Sequence, residues 1–128
     1  MNRRTAREKA LQIIFQVDVG GNDLHKVMDH YDDPFLLEVV NGTFEHLQPI
    51  DQFIGEHLEK WSFDRLANVD KNILRMATYE MKYMDEIPYN VTINEAVEIA
   101  KKFADEKAGG FINGVLSKMK LSLENMEK

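Results

Sequence analysis

Apolar residues recur along this chain at helical spacing in seven successive segments, separated by proline, glycine and capping residues. From Thr5 to Val17, the residues Ala10, Leu11, Ile13, Ile14, Phe15 and Val17 cover one broad face at about 100° per residue, the pattern of a core-facing helix. Thr5 and Glu8 have capping-box spacing for its start. Gly20-Gly21-Asn22 breaks that helix, and Asp23 opens a second, weaker one through Leu24, Val27 and Met28. Asp32-Asp33-Pro34 starts a third, with Leu36, Val39, Val40, Thr43, Phe44 and Leu47 on one stripe. Pro49 opens a fourth through Ile50, Phe53, Ile54, Leu58 and Trp61, ahead of an irregular Ser62-Phe63-Asp64. Gly42 and Gly55 lie inside these patterns at a cost of about 1 kcal/mol each, a sign of close helix approach.

A fifth helix is predicted from about Asn68 to Met84, burying Ile73, Ala77, Met81 and Met84 and ending before Pro88. Thr92 and Glu95 have capping-box spacing for a sixth, which carries Ile93, Ala96, Val97, Ala100, Phe103 and Ala104 on its apolar face. After Gly109-Gly110 a seventh follows, with Phe111, Ile112, Val115, Leu116, Met119 and Leu123. No segment alternates with period two between hairpin turns, so the expected class is all-α. Short helices with such wide stripes must pack on one another, giving a compact bundle of about seven helices in one domain. The seam near residue 48 divides it into an N-terminal helical subdomain, about 1–47, and a C-terminal one, about 48–128.

Composition narrows the chemistry. The 128 residues include no cysteine, which removes disulfides, thiolate catalysis and cysteine-held zinc; His25, His30, His46 and His57 fall on separate segments at no metal-ligand spacing. The basic start is followed by no signal-peptide core, and no apolar run approaches the ~20 residues that cross a bilayer, so a cytoplasmic protein with no membrane contact is expected. Asn41 and Asn90, in Asn-x-Thr triplets, are then chance or caps. Nucleotide-loop, zinc-protease and serine-hydrolase motifs are missing, and Glu95 and Glu98 fall on an exposed face without a base or metal partner, so no enzymatic activity and no cofactor are expected.

A net charge of −6 argues against a broadly basic nucleic-acid binder, so any such site must be local. One exists at the start of the chain, where Arg3, Arg4, Arg7 and Lys9 are opposed only by Glu8. Helix starts favour acids by a few tenths to about 1 kcal/mol. The other predicted starts follow that preference with Asp32-Asp33, Asp70 and Glu95, whereas the first does not. Arg3 and Arg7, four residues apart, extend the face of Leu11 and Ile14 and together frame an anion, with free backbone N–H groups beside them. Lys9 points elsewhere. The alternative is a solvated terminus whose arginines pair with nearby acids.

Several motifs carry a resemblance: Val69-Asp70-Lys71 leading into Ile73-Leu74-Arg75, Tyr79-Glu80, Ile87-Pro88-Tyr89, Ile93-Asn94-Glu95-Ala96, Ala100-Lys101 with Phe103, and Phe111-Ile112-Asn113-Gly114-Val115-Leu116, together with Arg3-Arg4-Thr5-Ala6-Arg7-Glu8. Over nearly its whole length the chain resembles the NusB family of bacterial transcription antitermination factors. The resemblance implies a non-catalytic protein that binds single-stranded boxA RNA through Arg3, Arg4 and Arg7, with Lys9 a weaker contact. It also implies a small-subunit ribosomal protein, acting as NusE, as partner, and assembly on RNA polymerase to pass terminators in nascent ribosomal RNA. The partner face it implies includes Phe15, Asp70 and Phe111; core packing for the two phenylalanines, and helix capping for Asp70, remain open from the residues alone. Asn94 and Asn113 are taken as backbone-bonding devices and Tyr79-Glu80 as a packing and surface pair.

The chain departs from some relatives in a sparser arginine cluster and a different Glu106–Gly110 turn, which implies modest RNA affinity alone. Two other classes remain open. One is the accessory RNA-binding domain of ribosomal RNA cytosine methyltransferases, where a catalytic domain would be expected after Lys128, so a free-standing antitermination factor is the expectation. The other is a helical protein-interaction module or homodimer without RNA activity.

Overall fold

The structure, a computed structural model, describes residues 1–127. Among them the order is α1 (Arg3–Asp18), α2 (Leu24–Met28), α3 (Pro34–Glu45), α4 (Leu47–Glu56), a 3-10 turn (Phe63–Arg65), α5 (Asn68–Tyr83), α6 (Tyr89–Phe103) and α7 (Glu106–Met126), with no strand. The all-α expectation and all seven helices are therefore found.

Helix α5 is the centre. It packs against α1, α3, α4, α6 and α7, and every residue from Asn72 to Met81 is buried. Around it lie Ile13 and Ile14 of α1, Leu36 and Val40 of α3, Ile50 and Ile54 of α4, Ile99 of α6, and Ile112, Leu116 and Met119 of α7, all essentially inaccessible. Gly42 explains its own presence: a Cβ there would overlap the Tyr79 ring, so glycine lets α3 approach α5. Gly55 has open space around it and no such role.

Five element boundaries differ from the sequence expectation. Helix α1 begins two residues before Thr5, because the Asn2 side chain accepts from the Thr5 N–H at 2.8 Å and so caps the helix itself. Helix α4 begins at Leu47, which leaves Pro49 in its first turn, where a missing N–H costs nothing. It ends at Glu56, so Trp61 lies in the connection that follows and is 58% exposed.

Helix α6 starts at Tyr89 directly after Pro88, whose fixed φ suits helix entry. Thr92 is then a buried residue inside the helix rather than its cap, and Glu95 is a turn further in. Phe103 and Ala104 end up exposed at the far end, while Ile99 takes a place on the buried face. Helix α7 starts at Glu106, capped by Asp105, which accepts from the Ala108 N–H at 2.8 Å. Gly109 and Gly110 are thus inside α7. Gly109 is buried where a Cβ would stand 3.0 Å from the Lys101 side chain, so that glycine serves the α6–α7 contact and not a break.

Polar groups inside α5 are paired. Arg75 donates to both oxygens of Asp51 at 2.8 Å and to the Asn72 side chain at 3.0 Å, and meets Asp18 at 3.2 Å, joining α1, α4 and α5. Burial works to lower the Arg75 pKa, but Asp51 and then Asp18 outweigh it and leave it raised. Among the described residues no buried side-chain nitrogen or oxygen lacks a hydrogen-bond partner, as native interiors require.

Candidate nucleic-acid interface

The first turn of α1 carries its basic residues in three different environments. Arg3 is exposed and lies over the Phe35 ring, 4.7 Å from the centroid. Arg7 lies against the same ring at 5.0 Å, so the two arginines do share one side of α1 as their spacing predicts. Arg7, however, is only 3% exposed. Its Nε donates to both oxygens of Glu80 at 3.1 and 3.0 Å and its Nη2 donates at 2.7 Å. The Thr92 hydroxyl donates to the same carboxylate at 3.1 Å. A guanidinium with these donors spent in the interior is not presented to RNA, and Glu80 is a buried ionic residue rather than part of a surface pair. The physical reason is desolvation: a carboxylate on the buried face of α5 requires a cation, and Arg7 is the one that reaches it.

Arg4 points the other way, toward α6. Its Nε and Nη2 donate to the Glu95 carboxylate at 3.0 and 2.9 Å, with 61% of its side chain exposed against 19% for Glu95. The Glu95 hydrogen bond, followed by its charge, raises the Arg4 pKa. Beside this pair, Lys102 of α6 donates to Glu8 of α1 at 2.8 Å. Lys9 is half-buried. Asn94 and Asn113 are exposed, inside α6 and α7.

The residues expected to meet a protein partner divide between two surfaces. Phe15 is half-buried and lines a groove of about 300 Å³ with Leu11, Gln12 and Gln16 of α1, Val69 of α5 and Phe103 of α6. Asp70, next to Val69, is half-buried in the first turn of α5. Burial, and then the charge of Asp105, pushes its carboxyl above the ordinary range. Phe111 is elsewhere, lining a groove of about 210 Å³ with Trp61, Leu58 and Lys118. The structure thus brings Phe15 to the neighbourhood of the α5 start and sets Phe111 apart.

Phe35, Glu95, Lys102 and Val69 were not among the expected site residues. Each gains its place from a tertiary neighbour distant in sequence, and Phe103 reaches the groove only because α6 runs on to that residue.

These features define an all-helical recognition module, with exposed cations at one helix start and an aromatic-lined groove further along the same helix. The chain is 55% identical over 129 aligned positions to the transcription antitermination protein NusB of Geobacillus kaustophilus, covering 97% of this chain and 99% of that protein. The profile of the NusB family matches residues 4–120, and the chain belongs to that family. Its fold matches T. maritima NusB with a TM-score of 0.82 at 38% identity, covering 92% of this chain and 89% of that one. It matches a chain in the crystal structure of antitermination factors NusB and NusE in complex with dsRNA equally well, with a TM-score of 0.82 at 29% identity, covering 94% and 96% of the two chains. Among the described residues no helix is long and apolar enough to cross a membrane.

Proposed function

We propose that this protein is a transcription antitermination factor that binds boxA RNA of nascent ribosomal RNA together with a small-subunit ribosomal protein acting as NusE, and joins the complex that carries RNA polymerase past terminators. Family membership and the likeness to a NusB–NusE–RNA assembly support the reading. The observation that carries it in this chain is the exposure of Arg3 and Arg4 at a helix start, where dipole energetics alone would favour acids. Arg3, Arg4 and, at the edge, Lys9 make the contacts; Arg7 positions the helix that presents them.

About three phosphate contacts to a single strand give a salt slope near −2, a site readily weakened at physiological salt. The ribosomal partner supplies the missing affinity from the groove beside Phe15 and Asp70. Base choice then comes from unstacked bases lying against both proteins, as single-stranded RNA recognition requires.

The test is equilibrium binding of single-stranded boxA RNA, with a duplex of the same sequence alongside, at several salt concentrations with and without the ribosomal protein. Replacing Arg3 and Arg4 together by alanine is expected to weaken binding at least tenfold and to flatten the slope by about 0.7 to 1.4, one full contact at ~0.7 from Arg3 and up to a second from Arg4. Absence of RNA binding even with the partner would overturn the reading and leave a helical protein-interaction module, or a homodimer, built on the Phe15 groove.

A further inference from the structure

We infer that Glu95 sets the RNA affinity of this end by competing with phosphate for Arg4. The inference rests on the RNA-binding reading above. Arg4 uses Nε and Nη2, one edge of its guanidinium, on Glu95. Such a pair of parallel N–H groups is a donor set a phosphate takes bidentately. The same donors cannot serve a carboxylate and a phosphate at once.

Exposure is unequal across the pair. The Glu95 carboxylate is largely sheltered on α6 while Arg4 is mostly in solvent, so Arg4 is the partner that swings away. The arrangement repeats beside it, where Glu8 holds Lys102, and a pocket of about 250 Å³ between α1 and α6 is lined by Arg4, Glu8, Glu98, Ile99 and Lys102. In the free protein the carboxylates of this edge therefore occupy its cations. RNA entering at Arg4 releases Glu95 and leaves that negative charge close to the incoming phosphate.

Two consequences follow. Binding must overcome an exposed ion pair and a residual repulsion, so removing the Glu95 charge tightens it by about three- to tenfold at low salt. Arg4 also meets the phosphate with the Glu95 charge still beside it, so the pair neutralises less of the phosphate and displaces fewer of the RNA's counterions, which blunts the salt response. Freed from Glu95, it contributes a full contact, and the slope steepens by up to ~0.7.

The experiment titrates single-stranded boxA RNA against wild type, Glu95→Gln, Glu98→Gln, Arg4→Ala and the Arg4→Ala/Glu95→Gln double variant, with the ribosomal partner present, from low to physiological salt. Glu98 controls for general field effects, since it lies one turn along α6 and pairs with Lys101 at 3.8 Å. The expected result is tighter binding with a steeper slope for Glu95→Gln, a smaller gain for Glu98→Gln, and disappearance of the Glu95→Gln gain in the Arg4→Ala background. Equal gains from both glutamine variants, or no gain from Glu95→Gln while Arg4→Ala loses binding, would overturn the competition and leave the RNA reading standing. Failure of wild type to bind RNA would overturn both.

Discussion

At the scale of single residues, two glycines of similar sequence context have opposite consequences. Gly42 lies on the buried face of α3 against the Tyr79 ring, and Gly55 near the end of α4 faces open space. Gly42→Ala forces the ring or the helix to move, an overpacking cost of about 1–3 kcal/mol. Gly55→Ala gains helix propensity and costs no contact, so it stabilises by up to about 0.5–1 kcal/mol. Urea denaturation of the two variants should move the midpoint in opposite directions; a shift of the same sign in both would contradict the packing described. Asp70 offers a pH test. Its folded pKa is raised above the ordinary value by burial and by Asp105. The folded state then binds the proton more tightly than the unfolded state does, and stability falls as pH rises from the ordinary aspartate value of 3.8 through the raised folded value. Above that window the cost is fully present. Asp70→Asn should therefore melt slightly above wild type at pH 7, by about 1–3 °C, with the advantage fading toward pH 4. The same substitution should weaken partner binding if the carboxylate meets a basic surface, a separation that paired melting and binding curves would reveal.

At the scale of elements, the Arg7–Glu80 pair couples α1 to α5, and Thr92 brings in α6. Removing one member of a buried pair strands the other charge, so Glu80→Ala is expected to cost about 3–5 kcal/mol, whereas the apolar double replacement Arg7→Met/Glu80→Leu recovers most of that loss. Chemical denaturation in which the double variant is no more stable than Glu80→Ala would refute this account. The pair also marks where sequence stops being legible. Seven amphipathic stripes were enough for the all-α class and the helix number, because each stripe is a local property. Boundaries differ where a residue further upstream already starts the helix: Asn2 ahead of Thr5, Pro88 ahead of Thr92, and Asp105 ahead of Gly109-Gly110. The exposed charge of Arg3 and Arg4 was visible in the run of basic residues. The burial of Arg7 was not, since Glu80 is 73 residues away. A signal did exist: Glu80 stands between Ala77 and Met84 on a face of α5 that must be buried, so it needed a cation from another helix. The pairings of Glu95 and Glu8 are illegible for the same reason, since their partners lie 91 and 94 residues distant.

At the scale of the whole molecule, a net charge of −6 is combined with a cationic start on one helix, so nonspecific attraction to RNA is weak everywhere except at that end. Helix α1 links this end to the groove at Phe15, eleven residues beyond Arg4, or roughly 16 Å at 1.5 Å per residue. It is held between α3 and α5, which makes it a rigid spacer. An RNA strand on the arginines and a protein in the groove can therefore be adjacent without sharing contacts, and their effects should separate. Phe15 is only half-buried, so Phe15→Ala should leave a folded protein. Its affinity for boxA RNA alone should stay within about twofold of wild type, while the enhancement by the ribosomal partner falls at least tenfold, the ~1.4 kcal/mol lost when an aromatic anchor leaves an interface. Arg4→Ala should weaken binding in both conditions by a similar factor. Measuring six affinities, wild type and each variant with and without partner, closes a thermodynamic cycle for each variant. A Phe15→Ala protein that loses RNA binding in the absence of partner would show that groove and arginine end act as one site, and that the spacing along α1 does not divide the labour between RNA and protein.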